Sequence, residues 1–224
     1  MFYSKKIPAL LLSVFAFITA LSQRPQFSLG TDLSILRSFK KEQRFFSVGQ
    51  TVYFHFHFTP TDEAYAWFTY YANGKFTNDV TAIAKSPVTA PQQINYLNHA
   101  QMRIKQISLG WRHYLKGTFD SEKDWNLYGL AGFGIMMGTV TNSQSTVIDS
   151  NVYRIPVLGG QAQFKRLTFD LGLGVEFPVG GDLFLYFEGR ALIPTTDYPS
   201  QYLFINKNAP FTATVNAGLR ILFY

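Results

Sequence analysis

The stretch LTFDLGLGVEFPVGGDLFLYFEGRALI, residues 167–193, decides the fold because it predicts a long β-hairpin. In the first arm apolar side chains alternate without a break with small or charged ones, the period of two that is typical of a strand with one buried face. The second arm repeats this period, with Glu188 and Arg190 on the face opposite Leu183, Leu185, Phe187, Gly189, Ala191 and Ile193. The segment PVGGD at residues 178–182 is a turn signal. Each arm runs for about eleven residues, the length that a tilted strand needs to cross a bilayer. The hairpin therefore raises the question of whether the whole chain closes into a membrane barrel.

The start of the chain predicts export. Lysines precede an apolar run at residues 7–21, which is the order of a secretory signal peptide, and we expect cleavage after Ser22. An N-terminal membrane anchor is disfavoured because the run is shorter than the roughly 20 residues that a spanning helix needs. We therefore divide the chain into a signal peptide at residues 1–22 and a β-barrel at residues 23–224.

The composition agrees with an exported β protein. The chain has no cysteine, which excludes a disulfide framework. Its net charge of +6 is spread over predicted strands and loops, so we expect no nucleic-acid partner. Aromatic residues make up 17% of the chain, and membrane barrels use such residues as girdles at both interfaces.

The chain as a whole predicts eight strands, of which the hairpin supplies two. We place them at residues 26–37, 44–58, 64–72, 100–116, 125–138, 162–177, 183–193 and 211–223. A change of phase near Gln106 indicates a bulge in the fourth strand. The long links, at residues 75–99, 139–161 and 194–210, alternate with short ones. This pattern is typical of an antiparallel up-and-down transmembrane β-barrel with long extracellular loops, short turns and both termini in the periplasm.

A secreted lipocalin-like barrel that binds a small ligand is the structural alternative, because it also has eight alternating strands. The composition of the polar face disfavours it. A face in contact with water would favour lysine, glutamate and threonine, whereas a crowded eight-stranded lumen favours small residues. Glycine is frequent on this face, at Gly30, Gly49, Gly110, Gly172, Gly174 and Gly218.

The end of the last predicted strand carries a further signal. Asn216, Gly218, Ile221 and Phe223 precede Tyr224, and this pattern resembles the C-terminal sorting signal of bacterial outer-membrane barrels. The chain as a whole resembles the small outer-membrane β-barrel domain family, similar in size to the OmpA and OmpX barrels and to versions from Bacteroidetes. The resemblance implies the outer membrane of a Gram-negative bacterium, contact with outer-membrane lipids, and handling by the barrel-assembly machinery. It rarely implies a defined reaction.

Charged residues on the polar face predict a network that plugs the lumen. A three-residue loop in the hairpin would place Asp170 directly opposite Arg190, where the two side chains could pair. Other charges on polar faces could complete the network. The predicted set is Asp32, Arg112, Asp170, Glu176, Glu188, Arg190 and Arg220.

Histidines offer few sites for chemistry. His55 and His57 project from one face about 7 Å apart, but without a third ligand we interpret them as lumen lining rather than a metal site. A lipid-A-modifying enzyme would need a nucleophile and a base at the outer rim. His99 and His113 have no evident partner for that role. We therefore assign no catalytic residue, metal or cofactor.

A basic link near the outer rim is the remaining candidate. Arg37, Lys40, Lys41 and Arg44 could bind lipopolysaccharide phosphates, or could simply be a solvated turn. The leading hypothesis is a non-enzymatic outer-membrane barrel that acts in envelope integrity or in surface interactions through its loops, with an unknown extracellular or envelope protein as partner. A lipid-A-modifying enzyme is the alternative.

Overall fold

The computed structural model describes residues 26–39, 43–195 and 211–224, and the signal peptide predicted for residues 1–22 lies outside these ranges. Within them no helix is long and apolar enough to cross a membrane. The described residues form the strands β1 (Gln26–Ser38), β2 (Phe46–His57), β3 (Asp62–Ala84), β4 (Gln93–Lys116), β5 (Asn126–Gln144), β6 (Tyr153–Arg154), β7 (Gly160–Gly180), β8 (Leu183–Pro194) and β9 (Thr212–Phe223).

The eight long strands form a closed ring. Their antiparallel order is β2-β1-β9-β8-β7-β5-β4-β3, and pairing of β2 with β3 closes it. The short β6 adds to the far end of β3, outside the ring. Short connections at residues 58–61, 117–125 and 181–182 lie at the end that also holds Gln26 and Phe223, which we call the turn end. The opposite end is the loop end, and the predicted eight-stranded up-and-down transmembrane barrel is confirmed.

The polarity of the barrel is the reverse of that of a water-soluble protein. Outward side chains such as Leu33 and Phe133 are 70% and 69% exposed, and we call the band of such side chains around the ring the apolar belt. Inward side chains such as Thr168 and Asp170 are fully buried. An apolar outer surface of this extent is stable only when an apolar medium covers it. This arrangement argues against the lipocalin-like alternative.

The hairpin of β3 and β4 departs most from the sequence prediction. The sequence predicted strands at residues 64–72 and 100–116 with a loop at 75–99, whereas the strands pair as far as Ile83 with Gln93. The predicted loop is therefore wrong. Above the apolar belt the outer face of this hairpin is largely polar, so the alternation that marks a half-buried strand is weak there.

The predicted bulge lies on the neighbouring strand. Alternation in β4 continues unbroken through Gln106, whereas the register between β3 and β4 shifts between Tyr71 and Gly74. The extra residue belongs to β3, where Asn73 has a φ of 61°, a conformation that asparagine tolerates better than most residues. The bulge near Gln106 is therefore a wrong prediction: the apolar side chains change from the inward face at Met102 and Ile104 to the outward face at Ile107, while the strand itself continues without an extra residue.

Part of the barrel wall continues beyond the ring as a raised sheet of β3, β4, β5 and β7. Strand β5 extends to Gln144, so the predicted loop at residues 139–161 is shorter than expected. The segment at residues 145–159 folds back onto β3 through β6. The raised sheet has its own apolar cluster, formed by Val80, Ala82, Tyr96, Ile148 and Tyr153.

Glycines make room for tyrosines inside the lumen. Gly110 and Gly132 are directly paired across β4 and β5, and a Cβ atom at either position would overlap the Tyr65 hydroxyl. A Cβ atom at Gly49 would likewise overlap the Tyr71 ring. The glycine-rich inward face thus follows from the packing of aromatic rings in a narrow barrel.

The β7–β8 hairpin has the predicted faces but a different register. The sequence predicted Asp170 opposite Arg190, whereas Arg190 is opposite Gly172. The shift comes from a bulge just after Pro178, followed by a tight turn in which Gly181 has a φ of 55°. Because the register moves by two residues, every side chain keeps its face while its cross-strand partner changes.

Candidate functional site

The interior of the barrel holds a set of buried charges, most of which contact one another. Each charged residue that was predicted to line the lumen is at most 4% exposed. A buried charge needs a partner of opposite sign or several hydrogen bonds, so these contacts determine what the interior can do. The residues are Asp32, Arg112, Asp170, Glu176, Glu188, Arg190 and Arg220.

Glu188 joins two guanidinium groups. Arg190, two residues further along β8, forms a buried ion pair with Glu188 through Nε, so the predicted pair with Asp170 is wrong. The other Glu188 oxygen lies 3.5 Å from Arg112 Nη2 and accepts a hydrogen bond from the Tyr128 hydroxyl at 3.2 Å. One carboxylate therefore neutralises charge on two strands.

The two aspartates of the network rely on neutral donors. Asp170 accepts a hydrogen bond from Gln106 Nε2 at 3.2 Å. Asp32 accepts one from the Tyr186 hydroxyl at 3.1 Å. Neither aspartate forms an ion pair within the described residues.

Glu63 is the member of the network that the sequence analysis missed. Its carboxylate lies 2.8 Å from Nδ1 of both His55 and His57 and 3.0 Å from Arg112 Nε. The predicted third strand begins at residue 64, two residues after the start of β3, and the aromatic run at residues 64–72 obscures its inward face. Alternation from Tyr65 back to Glu63 was the signal that could have found it. No group of three or more His, Cys, Asp or Glu side chains in the described ranges could hold a metal ion.

Arg220 ties the turn end together. Its guanidinium donates to both oxygens of Glu176, from Nε at 2.7 Å and from Nη2 at 2.6 Å. It also donates to Ser28 Oγ at 2.8 Å and to the backbone carbonyl of Phe119 at 2.6 Å. The Phe119 ring stacks on His57 with 4.1 Å between ring centroids. These contacts hold the turn at residues 117–125 against the interior of the barrel at the turn end.

Ser28, His57 and Glu63 have the connectivity of a serine, histidine and carboxylate relay. Ser28 Oγ lies 2.6 Å from His57 Nε2, on the ring edge opposite the nitrogen that faces Glu63. The contact between His57 Nδ1 and Glu63 lacks the angle of a hydrogen bond. Ser28 has no exposed surface, and its oxygen already accepts a hydrogen bond from Arg220. A nucleophile needs an aligned base and room for substrate, so this arrangement supports packing better than catalysis.

The other histidines lie on the outer face. His113 Nδ1 is 2.8 Å from Asp62 Oδ1 at the turn end, and the Trp111 indole donates to the same oxygen at 3.0 Å. His99 Nδ1 is 3.1 Å from Thr77 Oγ1 in the raised sheet. Neither contact places a histidine on a serine.

The predicted basic rim is partly described. Arg37 lies on the outer face of β1, with its guanidinium 4.8 Å from the centroid of the Phe46 ring. Arg44 is exposed, and Lys40 and Lys41 lie outside the described residues. Contact between this rim and lipopolysaccharide phosphates stays a prediction.

The predicted sorting residues alternate along β9. Asn216 and Gly218 face the lumen, whereas Ile221 and Phe223 face outward. The Phe223 ring stacks on Phe27 of β1 with 5.0 Å between centroids. The strand that carries the predicted signal is thus also the strand that closes the barrel against β1, and recognition by the assembly machinery stays a prediction.

Comparison with known proteins identifies the fold. No protein-family model matches the sequence, and no curated protein has significant sequence similarity to it. The Neisserial surface protein A structure is similar with a TM-score of 0.57 at 11% identity, covering 88% of this chain and 97% of that one. A major outer membrane protein from Thermus thermophilus gives a TM-score of 0.53 at 10% identity, covering 90% and 100% of the two chains. The chain therefore has the fold of small outer-membrane β-barrels.

Proposed function

We propose that this protein is an integral β-barrel of a Gram-negative outer membrane, without enzymatic activity, whose charged interior closes the lumen. In this proposal both termini face the periplasm, and the raised sheet serves envelope integrity or a surface interaction. We also propose, from the sequence resemblance, that it belongs with the barrels of the Bacteroidetes group.

The outer surface supports membrane insertion. Aromatic rings gather at both edges of the apolar belt, as expected where side chains prefer the headgroup level. At the turn end Phe58 stacks on Trp111 with 5.1 Å between centroids. At the loop end Phe39 and Phe211 stack at 5.4 Å.

The buried charges carry the proposal of a closed lumen. An eight-stranded barrel has an interior just wide enough for side chains. Large groups fill it here, since Arg112, Arg220, Tyr53 and Tyr128 are at most 1% exposed. The pairing of Arg220 with Glu176, and of Arg190 with Glu188, holds these charged groups in place inside the ring. A conducting channel would need hydrated charges instead.

The raised sheet supports a role at the cell surface. Its strands are hydrogen-bonded for about ten residues beyond the top of β2, which is roughly 30 Å at the rise of a strand. The apolar cluster around Tyr96 and Tyr153 holds the segment at residues 145–159 against it. Val88 and Val147, which are 89% and 99% exposed, lie in the connections at its tip. A rigid platform with apolar groups at its tip suits contact with another macromolecule.

Fractionation and conductance together test the proposal. The folded protein should partition with outer membranes and should migrate differently on a denaturing gel before and after boiling. Purified protein in planar lipid bilayers should give no stable conductance. A soluble monomer without detergent would contradict the membrane location, and a steady open channel would contradict the closed lumen.

The Ser28, His57 and Glu63 arrangement is the observation that favours an enzymatic alternative. Because Ser28 is buried at the turn end, a fluorophosphonate probe should not label the folded protein. Mass spectrometry of lipid A from cells with and without the gene should give the same acyl pattern. Labelling that Ser28→Ala abolishes, or an altered acyl pattern, would favour an enzyme.

A further inference from the structure

Three basic side chains lie together on the outer face of the wall formed by β3, β4, β5 and β7. Lys105 is directly paired with Met137, and Met137 is directly paired with Lys165. Arg103 is two residues from Lys105 on the same face of β4. All three bases are exposed, and no ion pair within the described residues includes any of them. We call Arg103, Lys105 and Lys165 the basic ledge.

The basic ledge lines a shallow outward groove of about 610 Å³. Adjacent strands are about 4.8 Å apart and alternate residues about 7 Å apart, so the Cα atoms of the three bases lie within about 7–12 Å of one another. Long side chains at that spacing can converge on one or two phosphate groups. Tyr70 lies beside them, with the Lys105 Nζ atom 5.9 Å from its ring centroid, and no acidic residue lines the groove.

The basic ledge sits at the upper boundary of the apolar belt. One step toward the turn end on each strand, the outward residues become Ile107 on β4, Ile135 on β5 and Leu167 on β7, which are about half exposed. Acidic residues collect instead at the turn end, at Asp62, Asp120, Glu122, Asp124 and Asp182. The bases therefore lie at one headgroup level, directly above a surface suited to acyl chains.

We propose that the basic ledge binds the phosphorylated headgroup of an outer-leaflet lipid whose acyl chains lie on the apolar belt below it. The arginine supplies a planar fork for phosphate oxygens, and the lysines supply point charges on either side. This inference rests on the proposed membrane location. The basic ledge is a different set of residues from the basic rim predicted near Arg37, which lies on β1.

The test is a titration of folded, detergent-solubilised protein with fluorescent bis-phosphorylated lipid A. Each single variant, Arg103→Gln, Lys105→Gln or Lys165→Gln, should bind about fivefold more weakly, because each base beside a negatively charged headgroup contributes about one electrostatic contact. The triple variant should bind on the order of 100-fold more weakly, since the three contacts are lost together. The matched control Lys85→Gln, Lys116→Gln, Lys123→Gln removes the same charge from the tip and the turn end and should bind normally.

Each other outcome would overturn the proposal. An equal loss in the control would mean that only net charge matters. Unchanged binding of dephosphorylated lipid A would exclude phosphate recognition, and equally strong binding of inorganic phosphate would assign the ledge to a soluble anion. Heat-modifiability of the unmodified protein and of every variant is measured in parallel. An unmodified protein that is not heat-modifiable would contradict the proposed function, whereas normal binding by a folded triple variant would contradict only the proposal for the basic ledge.

Discussion

Arg190 and Glu188 project from the same face of β8, two residues apart, and form a buried ion pair with each other rather than across the hairpin. The pair is also linked to β4, because Arg112 Nη2 lies 3.5 Å from the Glu188 carboxylate. The partner of Arg190 is thus set by its own strand, while Arg112 supplies the link between strands.

Replacing Arg190 tests whether this pair holds the lumen shut. Arg190→Ala should lower the free energy of unfolding by about 3–5 kcal/mol, the usual cost of leaving a buried charge without its partner. It should also produce intermittent conductance in planar bilayers. Arg37→Ala, which removes an arginine from the outer face of β1, should cost about 1 kcal/mol at most. Urea titrations of both variants in lipid measure the effect, and equal free energies of unfolding for the two variants would contradict the inward role of Arg190.

Glu63 and Asp62 provide a matched pair of adjacent acids on opposite faces of β3. Glu63→Gln removes the charge that faces His55, His57 and Arg112, so it should cost about 3–5 kcal/mol. Asp62→Asn removes a charge from partly exposed contacts with His113 and Trp111 at the turn end and should cost less than about 1 kcal/mol. Equal unfolding midpoints for the two variants would show that the Glu63 contacts contribute no stability.

The glycines opposite Tyr65 test how tightly the lumen is packed. Gly110→Val and Gly132→Val should each destabilise the barrel by about 1–3 kcal/mol, because the added methyl groups meet the tyrosine hydroxyl. Gly189→Val is the control, since a Cβ atom at that outward position meets nothing within 4 Å. The fraction of folded protein on unboiled gels measures the effect. Normal folding of the Gly110 and Gly132 variants would contradict the packing argument.

The sequence predicted the faces of the strands much better than their pairing. Alternation places Asp170, Glu176 and Arg190 inside, because a half-buried strand has a period of two whatever its neighbour is. The partner of Arg190 depended on a bulge near Pro178, which alternation does not reveal. A two-residue error in the start of β3 likewise concealed Glu63.

The sequence could not predict which residues of distant strands lie side by side, and the reason is different. Lys105 and Lys165 are 60 residues apart in the sequence, and only the registers of two strand pairs bring them into one row. The raised sheet was missed because its outer face is largely polar and it ends above the apolar belt, so hydrophobic alternation gave no signal there.

The last residues of β9 test the predicted sorting signal. Replacing Ile221 and Phe223 with serine should reduce the amount of assembled barrel in outer membranes several-fold, because it removes both the predicted signal and the stacking of Phe223 on Phe27. Serine replacement of Val147, an exposed residue at the tip, should leave assembly unchanged. Refolding of the purified double variant in detergent separates the two causes. Normal refolding with poor assembly supports a sorting role, whereas equal assembly of all variants contradicts it.

Shortening the raised sheet tests whether the barrel and the surface platform are separate. Thr77 and His99 are directly paired, so residues 77–99 can be replaced by an Asn-Gly turn that joins Phe76 to Ala100. The charged network lies in the ring below, and the small cluster around Tyr96 is distinct from the main core. The shortened protein should therefore stay heat-modifiable and unfold within about 1 kcal/mol of the full chain, while losing any cell-surface interaction that the platform provides. A shortened chain that no longer folds in detergent would mean that the raised sheet is part of the barrel's own stability.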